Sequence, residues 1–435
     1  MYLACPARNL GDPYMGETRK ADSGCTRRSF FKKAGLAALA AGAGKTAASS
    51  SDTSHTVRPS AAPYTLRDDI QRFSSNNTVF RRVGWDPNCI GYRRGMLEAV
   101  AERIASGQSG FSRVDYAAFA AAWTFQNHFG HEVYNDRVMD TGFMKRLVSM
   151  PRHEVEDPSL MSRQVKKVAK LFGASSVGIA PLNRLWLYKE SDQEVGPDYE
   201  NVIVCALEMD YDAIMTSPAA SCSAATGNAY SRMVFTAASL AQFIRALGWK
   251  ARASGNDSGL SVPMAIEAGL GEAGRHGFLI TPAYGPRVRL CKVFTDLPLA
   301  PDHPISFGVT EFCEVCNKCA DDCPPGAITR GARTYDGVCA SNNPGALKWY
   351  VHVEKCYNYW CDNGAECSNC IRSCPFNKPQ SWIHDMARVP VRAKSTTLDR
   401  ALRAMDDLMG YGNRKDPVRN YWNSGRFMHT GGYVT

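Results

Sequence analysis

Cys313-x2-Cys316-x2-Cys319-x3-Cys323-Pro324 is the strongest constraint in this 435-residue sequence. The spacing is that of the cysteine runs that hold [4Fe–4S] clusters in bacterial two-cluster proteins, where the fourth cysteine of each run ligates the other run's cluster. A second run, Cys367-x2-Cys370-x3-Cys374-Pro375, lacks its first cysteine and carries Gly364 at that position. The crossing rule predicts one cluster on Cys313, Cys316, Cys319 and Cys374. The other then takes Cys323, Cys367, Cys370 and one further thiolate. Each iron keeps one terminal sulfur ligand, so two clusters require eight cysteines. Spacing leaves Cys339, Cys356 and Cys361 open for the eighth place. A zinc ribbon would instead show two C-x2-C knuckles.

The N-terminus reads as an export address. TRRSFFKKAGLAALAAGAGKTAA carries Arg27-Arg28, then Phe30 and Lys32, a short weakly apolar stretch and an Ala41-Gly42-Ala43 cleavage candidate, the order of a twin-arginine signal over residues 1–43. That route carries folded proteins, so the signal agrees with cysteines assembled on metal rather than spent on disulfides. Hydrophobic residues make up 44% and charged residues 21%, as in a globular chain. The signal accounts for +4 of the +9 net charge. No basic stripe interleaved with aromatics appears, and nucleic acid is not expected as a partner. No apolar run approaches the roughly 18–20 residues that span a bilayer.

Periodicity divides the rest. Residues 44–157 open with a Ser/Thr/Ala-rich linker and give no clear helical or strand period from 63 to 150. Val165, Val168, Ala169 and Phe172 predict a helix over 162–172, and Leu240, Phe243, Ile244 and Leu247 predict another over 228–247. SSVGIA, NVIVCALEM (201–209), GFLIT (277–281) and RVRLCKVFTD (287–296) read as strands, which places 158–308 in an α/β (α+β) class. A cysteine-rich module follows over 309–378, then a tail over 379–435. Within the α/β region, GLGEAG spaces Gly269, Gly271 and Gly274 as in a dinucleotide fingerprint, yet the preceding SVPMAIEA reads as helix rather than strand. These glycines are expected to let backbone approach another large cofactor.

Together the leader, the stretch GNDSGLSVPMAIEAGLGEAGRHGFLITPAYGPRVRL and the two cysteine runs resemble the respiratory reductive dehalogenases. The resemblance is strong over about 160–380 and looser before it. It implies a nitroreductase-like core holding a base-off corrinoid, a ferredoxin-like module with two 4Fe–4S clusters, and reductive removal of halide from an organohalide. The D-x-H-x-x-G corrinoid motif is absent (Asp302 and His303 are adjacent), in keeping with a family that supplies no lower protein ligand to cobalt. The family's tyrosine proton donor, with its asparagine and arginine, falls on Tyr230, Asn256 and Arg289. A phenol gives up its proton poorly unless its anion is stabilised, which a guanidinium and an amide can do. Tyr230, near the start of the expected helix, would also feel the helix dipole. Thr226 and Trp360 are candidates for the substrate pocket. The family's second run has a long gap after its first cysteine, which assigns the eighth ligand to Cys356 and makes the residues between Cys356 and Cys367 a loop bearing Trp360. The resemblance further implies a small membrane-anchor protein; a membrane electron donor and a homodimer are also expected as partners, and the export signal predicts a place on the outer face of the cytoplasmic membrane, in the periplasm. Two rival readings are an epoxyqueuosine-reductase-like enzyme and a non-catalytic electron-transfer subunit.

Overall fold

NVIVCALE is apolar from end to end, and the strand it forms, Asn201–Glu208 (β2), is buried at every residue from Val202 to Leu207. A strand buried on both faces belongs inside a sheet covered on both sides. The computed structural model, which describes residues 62, 64–134, 146–379, 391–411 and 418–423, supplies that cover. With Ser176–Pro181 (β1), Ala251–Ser254 (β3) and Val288–Thr295 (β6), β2 makes a four-stranded sheet in the order β1-β2-β6-β3. All its pairings are antiparallel, and Cys205 stands opposite Cys291. Glu272–Ala273 (β4) and Leu279–Ile280 (β5) pair separately as a short ribbon. The strand expected over 277–281 is reduced to this two-residue stretch.

Helices cover the sheet. They are Arg113–Tyr134 (α1), Pro158–Leu171 (α2), Ala220–Ala246 (α3) and Ser261–Glu267 (α4). Side chains alternate across a strand, so Ile203, Cys205, Leu207, Cys291 and Val293 meet Val165 and Ala169 of α2 and Leu240 and Ile244 of α3. The opposite set, Val202, Val204, Ala206, Leu290 and Phe294, packs with Met264 and Ala265 of α4. Local signals fix α2 tightly: Pro158 opens it, the Asp157 carboxylate accepts from the Ser159 amide at 2.8 Å, and Gly173 ends it at φ 95°.

Two sequence expectations are corrected. The helix expected from 228 begins at Ala220, where its first amide donates to Gly110 O at 2.9 Å. Ala220, Ser221, Cys222, Ser223 and Ala225 are all buried, so they show no one-sided apolar stripe to mark a helix. Tyr230 therefore lies well inside α3, and the helix-end field, confined to the first turn, does not reach it. The residues after Cys356 are not a loop. Val353–Asn363 (following the short helices Val309–Cys316, α5, and Lys318–Asp321, α6) is helix α7, with Cys356 and Trp360 one turn apart. It ends at Gly364, whose φ of 71° is left-handed and whose amide donates to Trp360 O at 2.9 Å. A glycine stands where the cysteine run would begin because the helix must be capped there.

The twin-arginine signal and the last residues of the tail lie outside the described residues. No helix among the described residues is long and apolar enough to cross a membrane.

Gly364→Ala should lower stability by at least about 1–2 kcal/mol, the cost of a left-handed β-carbon, because that carbon would also crowd Tyr116 Oη at 3.0 Å, and Gly364→Val, which adds bulk there, should cost more. Thermal unfolding of the two variants side by side measures the difference.

Candidate active site

The edge of the sheet builds the site. The chain leaves edge strand β3 at Ser254 and turns through Gly255–Gly259 into α4. This turn presents Asn256, whose Nδ2 donates to Tyr230 Oη at 2.7 Å. Tyr230 rises from α3 on one side of the sheet, half-buried, while Asn256 is exposed. Arg289 comes from the neighbouring strand β6, with its guanidinium carbon 5.3 Å from the centre of the Tyr230 ring. Its Nη2 donates to Thr226 Oγ1 at 3.3 Å, one turn before Tyr230. The structure thus brings Tyr230, Asn256, Arg289 and Thr226 together. Only the asparagine touches the phenol oxygen; the arginine faces the ring, where the π-electrons attract a cation.

Sequence periodicity gave no sign of the residue that closes the other side. Trp123 of α1 stacks on Tyr230 with ring centres 4.9 Å apart and planes at 25°. Gly227 makes room for it, since a β-carbon there would lie 2.4 Å from Trp123 Cδ1. Glu366 was also unmarked. It is buried, its Oε2 has no hydrogen-bond partner, and burial pushes its carboxyl up to about 7 against the pull of Arg289. Trp360 packs on Phe80, ring centres 6.0 Å apart, with its buried Nε1 unpartnered.

The cysteines gather in two groups. Cys313, Cys316, Cys319 and Cys374 line one small cavity together with Arg275 and His276. His276 Nδ1 accepts from the Phe278 amide at 3.2 Å, so in the neutral ring the proton sits on Nε2, which is buried and unpartnered. A donor left unpaired beside four thiols fits a cavity that receives an anionic sulfur cluster. Among the described residues no three Cys, His, Asp or Glu side chains close around a single metal ion. A multi-iron cluster, with one thiolate per iron, spreads its ligands more widely. In the second group, burial and then Cys367 and Cys323 push the Cys356 thiol up to about 12. Burial and then Cys367, Cys356, Cys319 and Cys323 hold the Cys370 thiol well above its ordinary value. Cys361 faces elsewhere: burial raises its thiol, while a hydrogen bond from Tyr357 and the charge of Arg94 lower it. Thiols held this firmly in the protonated state need a cationic metal to become thiolates.

Between α4, the β4–β5 ribbon and the cysteine-rich segment lies an apolar cavity of about 260 Å³, walled by Trp186, Leu260, Ser261, Gly274, Gly277 and Trp349. Arg275 joins the two cavities. It donates to Cys313 O at 2.7 and 3.1 Å and lies 4.6 Å from the centre of the Trp349 ring. Of the three glycines expected to face a cofactor, Gly274 lines this cavity. Gly269 and Gly271 instead meet protein backbone, where a β-carbon would lie 2.4 Å from His303 O and 2.1 Å from Ile280 O.

No protein-family model matches the sequence. Single proteins do. A tetrachloroethene reductive dehalogenase of Sulfurospirillum multivorans is 35% identical over 421 residues, an alignment spanning 83% of each chain. The chain belongs to the reductive dehalogenase family. A tetrachloroethene reductive dehalogenase of Desulfitobacterium hafniense is 39% identical over 322 residues, covering 60% of this chain and 58% of that one. A solved reductive dehalogenase, described as dehalogenating in a B12-dependent way, shares the fold at a TM-score of 0.64 and 23% identity over 83% of this chain. The present chain spans about half the length of that structure, 50%. The mixed helix-and-strand architecture is therefore that of a reductive dehalogenase, an oxidoreductase family.

After reconstitution with iron and sulfide, Cys356→Ser should bind less iron than the parent protein, whereas Cys361→Ser should match it. Iron and sulfide analysis with electron paramagnetic resonance of the reduced variants reads the difference.

Proposed function

We propose that this chain removes halide from an organohalide by reduction, with Tyr230 supplying the proton. The balanced reaction takes the organohalide, two electrons and one proton to the hydrogen-substituted product and a halide ion. Cys313, Cys316, Cys319 and Cys374 would hold one 4Fe–4S cluster in a ferredoxin-like module, and Cys323, Cys356, Cys367 and Cys370 the other. Leu260, Ser261, Gly274, Gly277 and Trp349 would hold a corrinoid against a nitroreductase-like core. When bound, the corrinoid supplies the two electrons to the carbon–halogen bond. In this reading Arg275, which lines the first cysteine cavity and packs on Trp349 of the apolar cavity, would stand between cluster and corrinoid.

The residues of this chain manage the proton. Tyr230 Oη delivers it to the substrate carbon as halide departs, which leaves a tyrosinate. Asn256 Nδ2 donates to that oxygen, and the Arg289 charge over the ring balances the anion. Solvent reaches Oη past the exposed Asn256 and restores the proton. The observation that carries this reading is the 2.7 Å hydrogen bond from Asn256 to Tyr230 with Arg289 over the same ring. Since two relatives act on tetrachloroethene, small chlorinated alkenes are the proposed substrate class, enclosed by aromatic side chains such as Trp123 and Trp360. Export by the twin-arginine route, with attachment to the outer face of the membrane through a small anchor protein and electrons from a membrane donor, completes the proposal.

Tyr230→Phe, loaded with corrinoid and clusters, should lose at least about 100-fold in dehalogenation, the usual worth of a positioned proton donor, with cobalt and iron contents unchanged. Halide release and product analysis over chlorinated ethenes measure it, and activity near that of the parent enzyme would move the proton donor elsewhere.

A further inference from the structure

The reading of Tyr230 as proton donor demands that Asn256 present its amide NH2, not its carbonyl, to the phenol. The two ends of an asparagine amide have nearly the same shape, so something else must set its direction. Ser261, the first residue of α4, donates from Oγ to Asn256 Oδ1 at 3.2 Å. A hydroxyl has one hydrogen, and Ser261 can spend it on Asn256 only if its own oxygen is not needed as a donor elsewhere. Lys292 leaves that hydrogen free, since as a donor it takes one of the two Oγ lone pairs and demands no hydrogen in return. It stands on β6, fully buried on the face of the sheet opposite Arg289, and its Nζ donates to Ser261 Oγ at 2.9 Å. An ammonium carries three donors and no acceptor. Its other two go to Gly255 O and, at 3.5 Å, to Gly259 O, the two ends of the turn that carries Asn256.

We infer that Lys292 and Ser261 are positioning residues that fix the direction of the Asn256 amide and thereby aim the Tyr230 proton at the substrate. The chain of donors runs one way, from Lys292 Nζ to Ser261 Oγ, from Ser261 to Asn256 Oδ1, and from Asn256 Nδ2 to Tyr230 Oη. Because Oη accepts from Asn256, its own hydrogen points away from the amide. The same bond receives the negative charge once that hydrogen has left. With the serine hydroxyl gone, nothing distinguishes the two ends of the amide. Its carbonyl can then turn to Oη, accept the phenol hydrogen and withhold it. A buried lysine with three neutral oxygen partners serves packing poorly, since desolvating a cation is costly. Burial accordingly draws the Lys292 ammonium down to about 8.

The test uses the loaded enzyme and three variants, since Lys292→Met removes a buried charge and is at risk of misfolding. Ser261→Ala keeps both of the other Lys292 bonds; Ser261→Thr keeps the hydroxyl. Ser261→Ala should lower kcat about tenfold with KM within twofold and raise the solvent deuterium isotope effect, and Ser261→Thr should restore both. Independently of turnover, a fluorinated tyrosine installed at position 230 should give one fluorine NMR resonance in the parent protein. That resonance should shift or split in Ser261→Ala and return in Ser261→Thr. If Ser261→Ala keeps full kcat, isotope effect and fluorine spectrum while Tyr230→Phe is inactive, the positioning relay is overturned and the tyrosine stands. If Tyr230→Phe stays active, the proton-donor reading on which the relay rests is itself overturned.

Discussion

Cys374 does not sit with the cysteines of its own run; it crosses to the cavity of Cys313, Cys316 and Cys319, and Cys323 crosses the other way. This exchange ties two segments that no sheet connects. The rest of the architecture serves to keep their thiols buried and close. Arg275, itself almost fully buried, spends its donors on the carbonyls of Cys313, Thr329 and Gly331. Arg372 likewise bonds Asp322 at 2.7 Å, beside Cys323. Buried cations that bond backbone carbonyls and a carboxylate hold irregular backbone in place where helices and strands are too short to do so.

The same logic operates at the edge of the sheet. β3 has only four residues and one strand neighbour, so the turn after it is free to carry a functional side chain outwards. What keeps that turn from wandering is its attachment from below. Arg289 and Lys292 lie on opposite faces of one strand because their separation of three residues reverses the pleat. One reaches the ring of Tyr230 and the other the carbonyls that flank Asn256. A single strand thus organises the phenol from two sides, and α1 closes the third with Trp123.

Much of this is legible along the chain because it is local. The full cysteine run, the caps of α2 and the apolar stretch of β2 follow from spacing and propensity over a few residues. The alternation of Arg289 with Leu290 and Lys292 with Val293 is also visible. The start of α3 was not, since a helix buried on all sides has no stripe to betray it, and α1 was lost for want of a clear period. In sequence α7 reads as a loop because the family's long gap after its first cysteine hides the Gly364 cap that ends a helix there. Gly269 and Gly271 were read as facing a cofactor, but close approach looks the same in sequence whether the neighbour is a ligand or, as here, His303 and Ile280 backbone.

By itself the sequence marked the cysteine spacing and the α+β class and, through resemblance, pointed to the family and to the trio Tyr230, Asn256 and Arg289. Resemblance favoured Cys356 over Cys361 for the second group, and the tertiary structure supplied the physical reason: both lie on one helix, but Cys356 faces Cys367 and Cys323 while Cys361 faces Tyr357 and Arg94. Only the tertiary structure decided the direction of the Asn256 amide. That direction depends on a donor-only lysine meeting a serine 31 residues away in sequence, and hydrogen-bond polarity is set by which groups meet in space rather than by which residues follow one another.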